Sequence, residues 1–269
     1  MNAVEASVNV RDQKPEKTAG PDEIPPELAA NLAYYESQDA VNTFSFYRFL
    51  KEEEVLIPKY FKVGDSVLDL ACGMGRTTRL LHEMGMHVRG VDRSENFVKL
   101  TNQRFPYLDI RLGSYDDIQE EDSSFTNILI ALNGIDYAFP ETQRVKTLKE
   151  CARVLKPGGI LIYSSHNLKS LHWCSPYYWR SLRWKFRNGF RAFRTRSYVW
   201  EGSECSLYNE PSYAVRQTEE TGLKLVEIRG FNRFKSSRID LYFSPYIHYV
   251  FEKPGTQQLP ARRRAENNG

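Results

Sequence analysis

Residues 67–78, which read Val-Leu-Asp-Leu-Ala-Cys-Gly-Met-Gly-Arg-Thr-Thr, constrain this chain more than any other stretch. Val67, Leu68, Leu70 and Ala71, gathered around Asp69, predict a strand buried on both faces. Gly73 and Gly75 let the backbone turn tightly and come close to a ligand. From Arg76 to Met84 the spacing is helical, with Leu80, Leu81 and Met84 on one stripe. Strand, glycine turn and helix together make a nucleotide-type crevice at the carboxyl end of a parallel strand.

The residues also limit what the crevice holds. A dinucleotide or ATP sets phosphates against such a loop, and phosphates want backbone N–H groups and lysine rather than a carboxylate. Asp69 suits a cation. The third glycine of a G-x-G-x-x-G pattern is absent, because Thr78 stands there, and no GK[ST] follows. The next predicted strand, from His87 to Val91, ends in Asp92, an acid placed to accept the hydroxyls of a ribose. The implied ligand is an adenosine that carries positive charge and no phosphate.

Three motifs then resemble the class I S-adenosylmethionine-dependent methyltransferases. Asp69 to Gly75 resembles the family's E/D-x-G-x-G-x-G loop, with Ala71 in place of the first glycine. Gly90-Val91-Asp92-Arg93-Ser94 resembles the second-strand motif, and Arg153 to Gly159 (RVLKPGG) resembles the turn before strand five. The likeness runs from about Val63 to Lys253. It implies an enzyme with S-adenosyl-L-methionine as cofactor. It also implies an α/β fold, a doubly wound, seven-stranded, mostly parallel sheet whose last strand is antiparallel.

Length and charge narrow the rest. The chain of 269 residues fits one such domain with an insertion. A net charge of +3 is small for a dedicated nucleic-acid binder. Four scattered cysteines without a C-x-x-C pair, and no histidine pair at ligand spacing, predict no metal site and a reducing compartment. No apolar run has the length of a membrane span and residues 1–26 lack a hydrophobic signal core, so the expected location is cytoplasmic.

The predicted organisation is a disordered tail over residues 1–26, a methyltransferase domain over 27–253 and a polar, disordered tail over 254–269. Leu28 to Tyr60 is helical in pattern, and Tyr34 or Tyr35 is placed either to line the cofactor or to pack on the core. Strands are predicted at Ser66–Cys72, His87–Asp92, Asp109–Gly113, Asn127–Asn133, Ile160–Ser164, Leu223–Ile228 and Tyr246–Glu252. Between strands five and six lies a long insert, about residues 168–211. There Trp179, Leu182, Phe186, Phe190 and Phe193 share a helical stripe, interleaved with Arg180, Arg183, Lys185, Arg187, Arg191, Arg194 and Arg196. This basic amphipathic helix reads as a cap over the domain, a site for an anionic substrate, a peripheral contact with anionic lipid, or an RNA surface.

The resemblance assigns roles residue by residue. Asp69 faces the methionine ammonium, directly or through water. Ala71, Gly73 and Gly75 bring the backbone close. Asp92 takes the ribose hydroxyls and Arg93 lies beside the adenine. Ser114 and Tyr115 occupy the adenine-contact position, where Ser114 replaces the family's usual aspartate. Asn133 falls beside the methyl-bearing sulfur, and the N-P-P-Y motif of enzymes that methylate amino groups of DNA or protein is missing. Methyl transfer to an alcohol needs a base. His166, at the end of strand five, is that candidate, with Asp136 and Tyr137 as further catalytic candidates. The expected acceptor is a small molecule, hydroxylated or anionic, such as a sugar, sugar nucleotide or secondary metabolite. Methylation of RNA, or cofactor binding without catalysis, are the alternatives.

Overall fold

Alternate residues of each central strand go to opposite cores, and this fixes the architecture. In the computed structural model Val67, Leu129, Ile162 and Val250 join Leu56, Ile57 and Leu81 in one apolar cluster. Their neighbours Leu68, Ile128, Leu161 and Phe251 join Leu148 and Ala214 in another. Strands apolar on both faces must lie inside a three-layer domain, because each face has to be covered by helices. The structure describes residues 26–45, 48–171, 179, 182, 183, 186, 197–201, 205–230 and 241–255.

The chain begins with three helices, α1 (Pro26–Tyr35), α2 (Gln38–Phe44) and α3 (Lys51–Tyr60). The single helical stretch expected from Leu28 to Tyr60 is therefore broken. Ser37 starts α2 by accepting the Ala40 N–H, and the Glu53 carboxylate accepts the Leu50 N–H before α3. Alternation follows: β1 (Ser66–Leu70), α4 (Arg76–Glu83), β2 (His87–Asp92), α5 (Glu95–Arg104), β3 (Asp109–Leu112), β4 (Phe125–Ile130), a 3₁₀ turn (Gly134–Tyr137), α6 (Glu141–Val154) and β5 (Leu155–Asn167). The chain closes with β6 (Ser197–Glu201), β7 (Cys205–Asn209), α7 (Pro211–Glu219), β8 (Lys224–Arg229) and β9 (Tyr246–Glu252).

The sheet order is β3-β2-β1-β4-β5, continued by β9 and β8. The first five strands are parallel, and β9 runs antiparallel to both β5 and β8. This is the expected doubly wound plan, with the reversal of strand order between β1 and β4.

Three expectations need correction. Among the described residues the sheet has nine strands rather than seven, because the insert contributes the antiparallel hairpin β6–β7. Strand five is longer than Ile160–Ser164 for the same reason. It pairs with β4 as far as Tyr163, then with β7 at His166 and Asn167. Since β9 holds the other edge of His166 through Tyr246, β7 lies on the edge that β4 has vacated. Strand four, in turn, ends at Ile130 rather than Asn133. Leu132 and Asn133 take left-handed backbone angles, with φ of 47° and 59°, which cannot continue a strand. Within the insert, Trp179, Leu182, Arg183 and Phe186 are helical. Phe190, Phe193 and the other basic residues of the predicted helix lie outside the described residues, as do both predicted tails except 26 and 254–255.

Candidate functional site

The loops after β1, β2 and β4 meet at one end of the sheet and line a crevice. Its wall carries backbone from Ala71 to Met74, the Asp92 carboxylate, and the rings of Tyr35, Phe44, Phe97, Tyr115 and Tyr137. Tyr35 meets Phe44, Phe97 and Tyr137 at centroid separations of 5.8, 5.8 and 5.5 Å. The N-terminal helices are thus fastened over the loop. The Tyr35 carbonyl accepts the Ser94 hydroxyl at 3.1 Å, and Glu36 accepts the Asn96 N–H at 3.1 Å. Of the two readings of Tyr34 and Tyr35, Tyr35 is the residue on the wall.

Backbone strain gathers here. Four described non-glycine residues have positive φ, and three of them (Ala71, Leu132 and Asn133) belong to the two loops that bound the crevice. Gly75 also has positive φ, at 73°, but it does not form the wall. A Cβ there would lie 2.7 Å from the Thr101 methyl on α5. Its close approach in the structure is to a helix.

Asp69 is placed differently from the direct reading. Its carboxylate is fully buried beneath the loop, where Oδ2 accepts the hydroxyls of Thr77 and Thr78 at 2.7 and 2.6 Å. These bonds pin the first turn of α4 to β1. Oδ1 is buried without a hydrogen-bond partner. Burial pushes the Asp69 carboxyl up to about 6, against the two threonine hydroxyls that favour its charged form.

Asp92 does stand on the wall. Its Oδ2 accepts the Gly73 N–H at 2.7 Å and its Oδ1 accepts the Ser94 N–H at 2.9 Å. Burial raises its pKa, opposed by those backbone bonds. The Tyr115 hydroxyl reaches Oδ2 at 3.4 Å, and the Arg93 guanidinium covers the Tyr115 ring at 4.2 Å. Arg93 also pairs with Asp116 at 3.2 Å, and the Ser114 hydroxyl donates to the same carboxylate. Ser114 is exposed, and neither it nor Arg93 lines the crevice directly.

The catalytic candidates come together at the end of β5. Asp136, in the 3₁₀ turn, is fully buried and does not face an acceptor. Its Oδ2 accepts the His166 backbone N–H at 2.6 Å and lies 3.0 Å from His166 Nδ1. Its Oδ1 accepts the Ser165 hydroxyl at 2.6 Å and Arg144 Nη1 at 2.7 Å. A carboxylate that only accepts assigns the proton to Nδ1 and the lone pair to Nε2. Nε2 lies 3.4 Å from the Asn133 amide nitrogen, and the Tyr208 ring stacks on the imidazole at 4.6 Å. Asn133 is not on the wall, but both its neighbours, Leu132 and Gly134, are. Tyr137 lines the crevice itself.

Sequence reasoning missed Arg76, Glu53, Phe44, Phe97, Arg144 and Tyr208. Arg76 lines the crevice and is held by Glu53 in a buried two-pronged ion pair, at 2.6 and 2.8 Å. Nothing in a run of three glutamates marks Glu53 as the partner of Arg76. The signal for Phe97 was available, three residues after the Ser94 cap that its N–H reaches.

Residues 67–159 match a family model described as a methyltransferase domain. The chain is 33% identical over 104 residues to a Bacillus subtilis (strain 168) protein named as the methyltransferase YqeM, over 38% of this chain and 42% of that one. It is 26% identical over 184 residues to a ubiquinone biosynthesis O-methyltransferase of Coxiella burnetii, over 63% of this chain and 68% of that one. The match spans about two fifths of the length of the first of these curated relatives. The CcbJ methyltransferase of Streptomyces caelestis superposes with a TM-score of 0.60 at 17% identity, covering 82% of this chain and 98% of that one. At that identity the likeness is one of fold. The crevice fits the fold's cofactor, S-adenosylmethionine. It has an acid on the wall, an unpartnered carboxylate oxygen under the loop, and a lining arginine already neutralised by Glu53, so it offers little to a phosphate. Sheet order, strand directions and the matched sequence give one result: the chain has the class I S-adenosylmethionine-dependent methyltransferase fold, and residues 67–159 are the part that matches the methyltransferase-domain model.

Proposed function

We propose that the protein methylates a hydroxyl group of a small molecule, with His166 as the general base and Asp136 as its orienting partner. The observation that carries this reading is the 3.0 Å contact between His166 Nδ1 and Asp136 Oδ2. His166 itself is buried and is not one of the residues of the wall; its Nε2 lies 3.4 Å from the amide nitrogen of Asn133, in the loop that bounds the crevice. When bound, S-adenosylmethionine supplies an activated methyl group. The chain's own residues hold the cofactor and the acceptor in line, exclude water and take one proton. Asp92 and the backbone of residues 71–74 hold the nucleoside. Tyr35, Phe44 and Tyr137 close the crevice to water. His166 Nε2 receives the hydroxyl proton as the new carbon–oxygen bond forms, and Asp136 stabilises the resulting imidazolium through Nδ1–H.

The aromatic wall favours a flat or ring-shaped acceptor, and the name of the Coxiella relative supports oxygen as the atom methylated. Sugars, sugar nucleotides and secondary metabolites are the classes to test beside phenols. Labelled cofactor is offered with each class and with bulk RNA. Incorporation into a hydroxyl of a small molecule supports the reading; incorporation into RNA alone, weakening steeply with salt, overturns it.

A second partner is favoured by one observation. Trp179 and Phe186, on one helical stripe of the insert, are 58% and 70% exposed. With the basic residues around them in sequence, they suit peripheral contact with anionic lipid. Sedimentation with anionic and neutral vesicles tests this, and equal partition to both sinks it. No helix among the described residues is long and apolar enough to cross a membrane.

A further inference from the structure

Leu132 and Asn133, side by side in the loop after β4, both hold left-handed backbone angles that are disfavoured for residues with a Cβ. Strain of this kind persists only where the surroundings over-determine the backbone, and it gathers at ligand clamps. This loop bounds the crevice, since Leu132, Gly134 and Tyr137 all line it. What holds it in shape lies behind the wall, in two ties to neighbouring elements. The first is Ser164 on β5, a buried residue whose Oγ accepts the Asn133 N–H at 2.8 Å. The second is the Asp136 carboxylate, three residues further on and fully buried. It collects the Ser165 hydroxyl and the His166 backbone N–H from β5, and Arg144 Nη1 from α6 at 2.7 Å.

The Arg144 side chain is as deeply buried as that of Asp136, and its Nε and Nη2 have no hydrogen-bond partner. A buried ion pair with donors left unsatisfied is a poor device for stability, since an apolar pair of the same volume commonly does as well or better. What the pair does supply is a directed bond from α6 to the loop. We propose that Arg144, acting through Asp136, and Ser164 are positioning residues that keep the loop after β4 in its strained, cofactor-ready shape before the cofactor arrives. Without them the loop relaxes toward ordinary backbone angles, and the cofactor has to select those molecules that still hold the wall in place. This rests on the crevice being the cofactor's, and not on which group takes the acceptor's proton.

The test follows cofactor affinity rather than turnover. S-adenosylhomocysteine is titrated by calorimetry into the folded, full-length protein, well below its unfolding temperature. Arg144→Met removes the tie and keeps most of the volume. It is expected to weaken binding about tenfold, the loss that follows when roughly one molecule in ten keeps the competent loop. Arg144→Lys restores a donor and is expected to recover part of that loss. Ser164→Ala leaves the Asn133 N–H unpaired and is expected to weaken binding in the same direction, which keeps the test decisive if Arg144→Met does not fold. Leu132→Gly removes the penalty at one left-handed position, so Arg144→Met is expected to cost less affinity in that background than in the wild type. Wild-type affinity in folded Arg144→Met, or in Ser164→Ala, overturns the proposal, as does an equal loss in both backgrounds. An arginine that only stabilises the fold lowers the denaturation midpoint and leaves these dissociation constants where they were. The crevice reading fails separately, if the wild-type protein itself does not bind S-adenosylhomocysteine.

Discussion

A Cβ on Gly134 would lie 2.7 Å from the Cβ of Ala71. The loop after β4 and the loop after β1 therefore meet across a contact that tolerates one methyl group and not two. Ala71 occupies the position where the family loop has glycine, at a φ of 61° that costs an alanine about 1–2 kcal/mol. Gly134→Ala is expected to destabilise the crevice and to weaken S-adenosylhomocysteine binding. Ala71→Gly alone is expected to raise stability slightly, and Ala71→Gly with Gly134→Ala to recover most of the loss. Thermal unfolding of the four proteins forms the cycle, and strict additivity would count against the contact.

Gly75→Val is expected to act through folding. Its Cβ would press on the Thr101 methyl of α5, so the variant loses stability whether or not ligand is present. Thr101→Ser removes that methyl, and in the Gly75→Val background it is expected to recover part of the loss in denaturant midpoint. The positive φ of Gly75 keeps the recovery partial.

Asp92→Ala removes the carboxylate that accepts the Gly73 and Ser94 N–H groups. Hydrogen bonds to charged groups contribute roughly 1.5–3 kcal/mol each. Calorimetry is expected to show S-adenosylhomocysteine binding weakened by about tenfold or more. Full affinity in a folded variant removes Asp92 from the site.

His166→Ala is expected to cut kcat on a hydroxyl acceptor by about a hundredfold or more, within the range a positioned base supplies, while cofactor affinity holds. A fully active variant with a methylated hydroxyl product rules the base out and turns attention to Tyr137.

Acid sensitivity follows from His248, on β9, whose two ring nitrogens are buried without partners. Burial pushes it from 6.5 down to about 4. The unfolded chain takes up the proton first, so stability falls as pH drops from 6.5 through 4, by about 3 kcal/mol in all. Asp69 works in the opposite sense: raised to about 6, it holds its proton in the fold and loses stability as pH rises from 3.8 through 6. The difference between wild type and His248→Leu isolates the histidine. It is expected to widen steadily as the urea midpoint is followed below about pH 6.5. A constant difference contradicts a neutral buried imidazole.

The sequence by itself determined the layers of this protein and the place of its crevice. Runs such as Val67–Leu70 and Ile128–Ile130 are apolar on both faces, and the glycine turn after β1 is a local matter of allowed backbone angles. Both are readable without a partner element. So was β9, from Tyr246 to Glu252. The meaning of individual charges was decided only by tertiary structure. Asp69 and Asp92 end adjacent strands and read alike, yet one is sealed beneath the loop and the other stands on the wall. Asp136 read as a group facing the acceptor, but burial against Arg144 and Ser165 turns it toward His166. That pairing joins the 3₁₀ turn, α6 and β5, three elements whose meeting no local pattern encodes. The strand β7 that stacks Tyr208 on His166 is a further case. It pairs there only because β4 stops short at Ile130, and which edge is left open is a property of the assembled sheet.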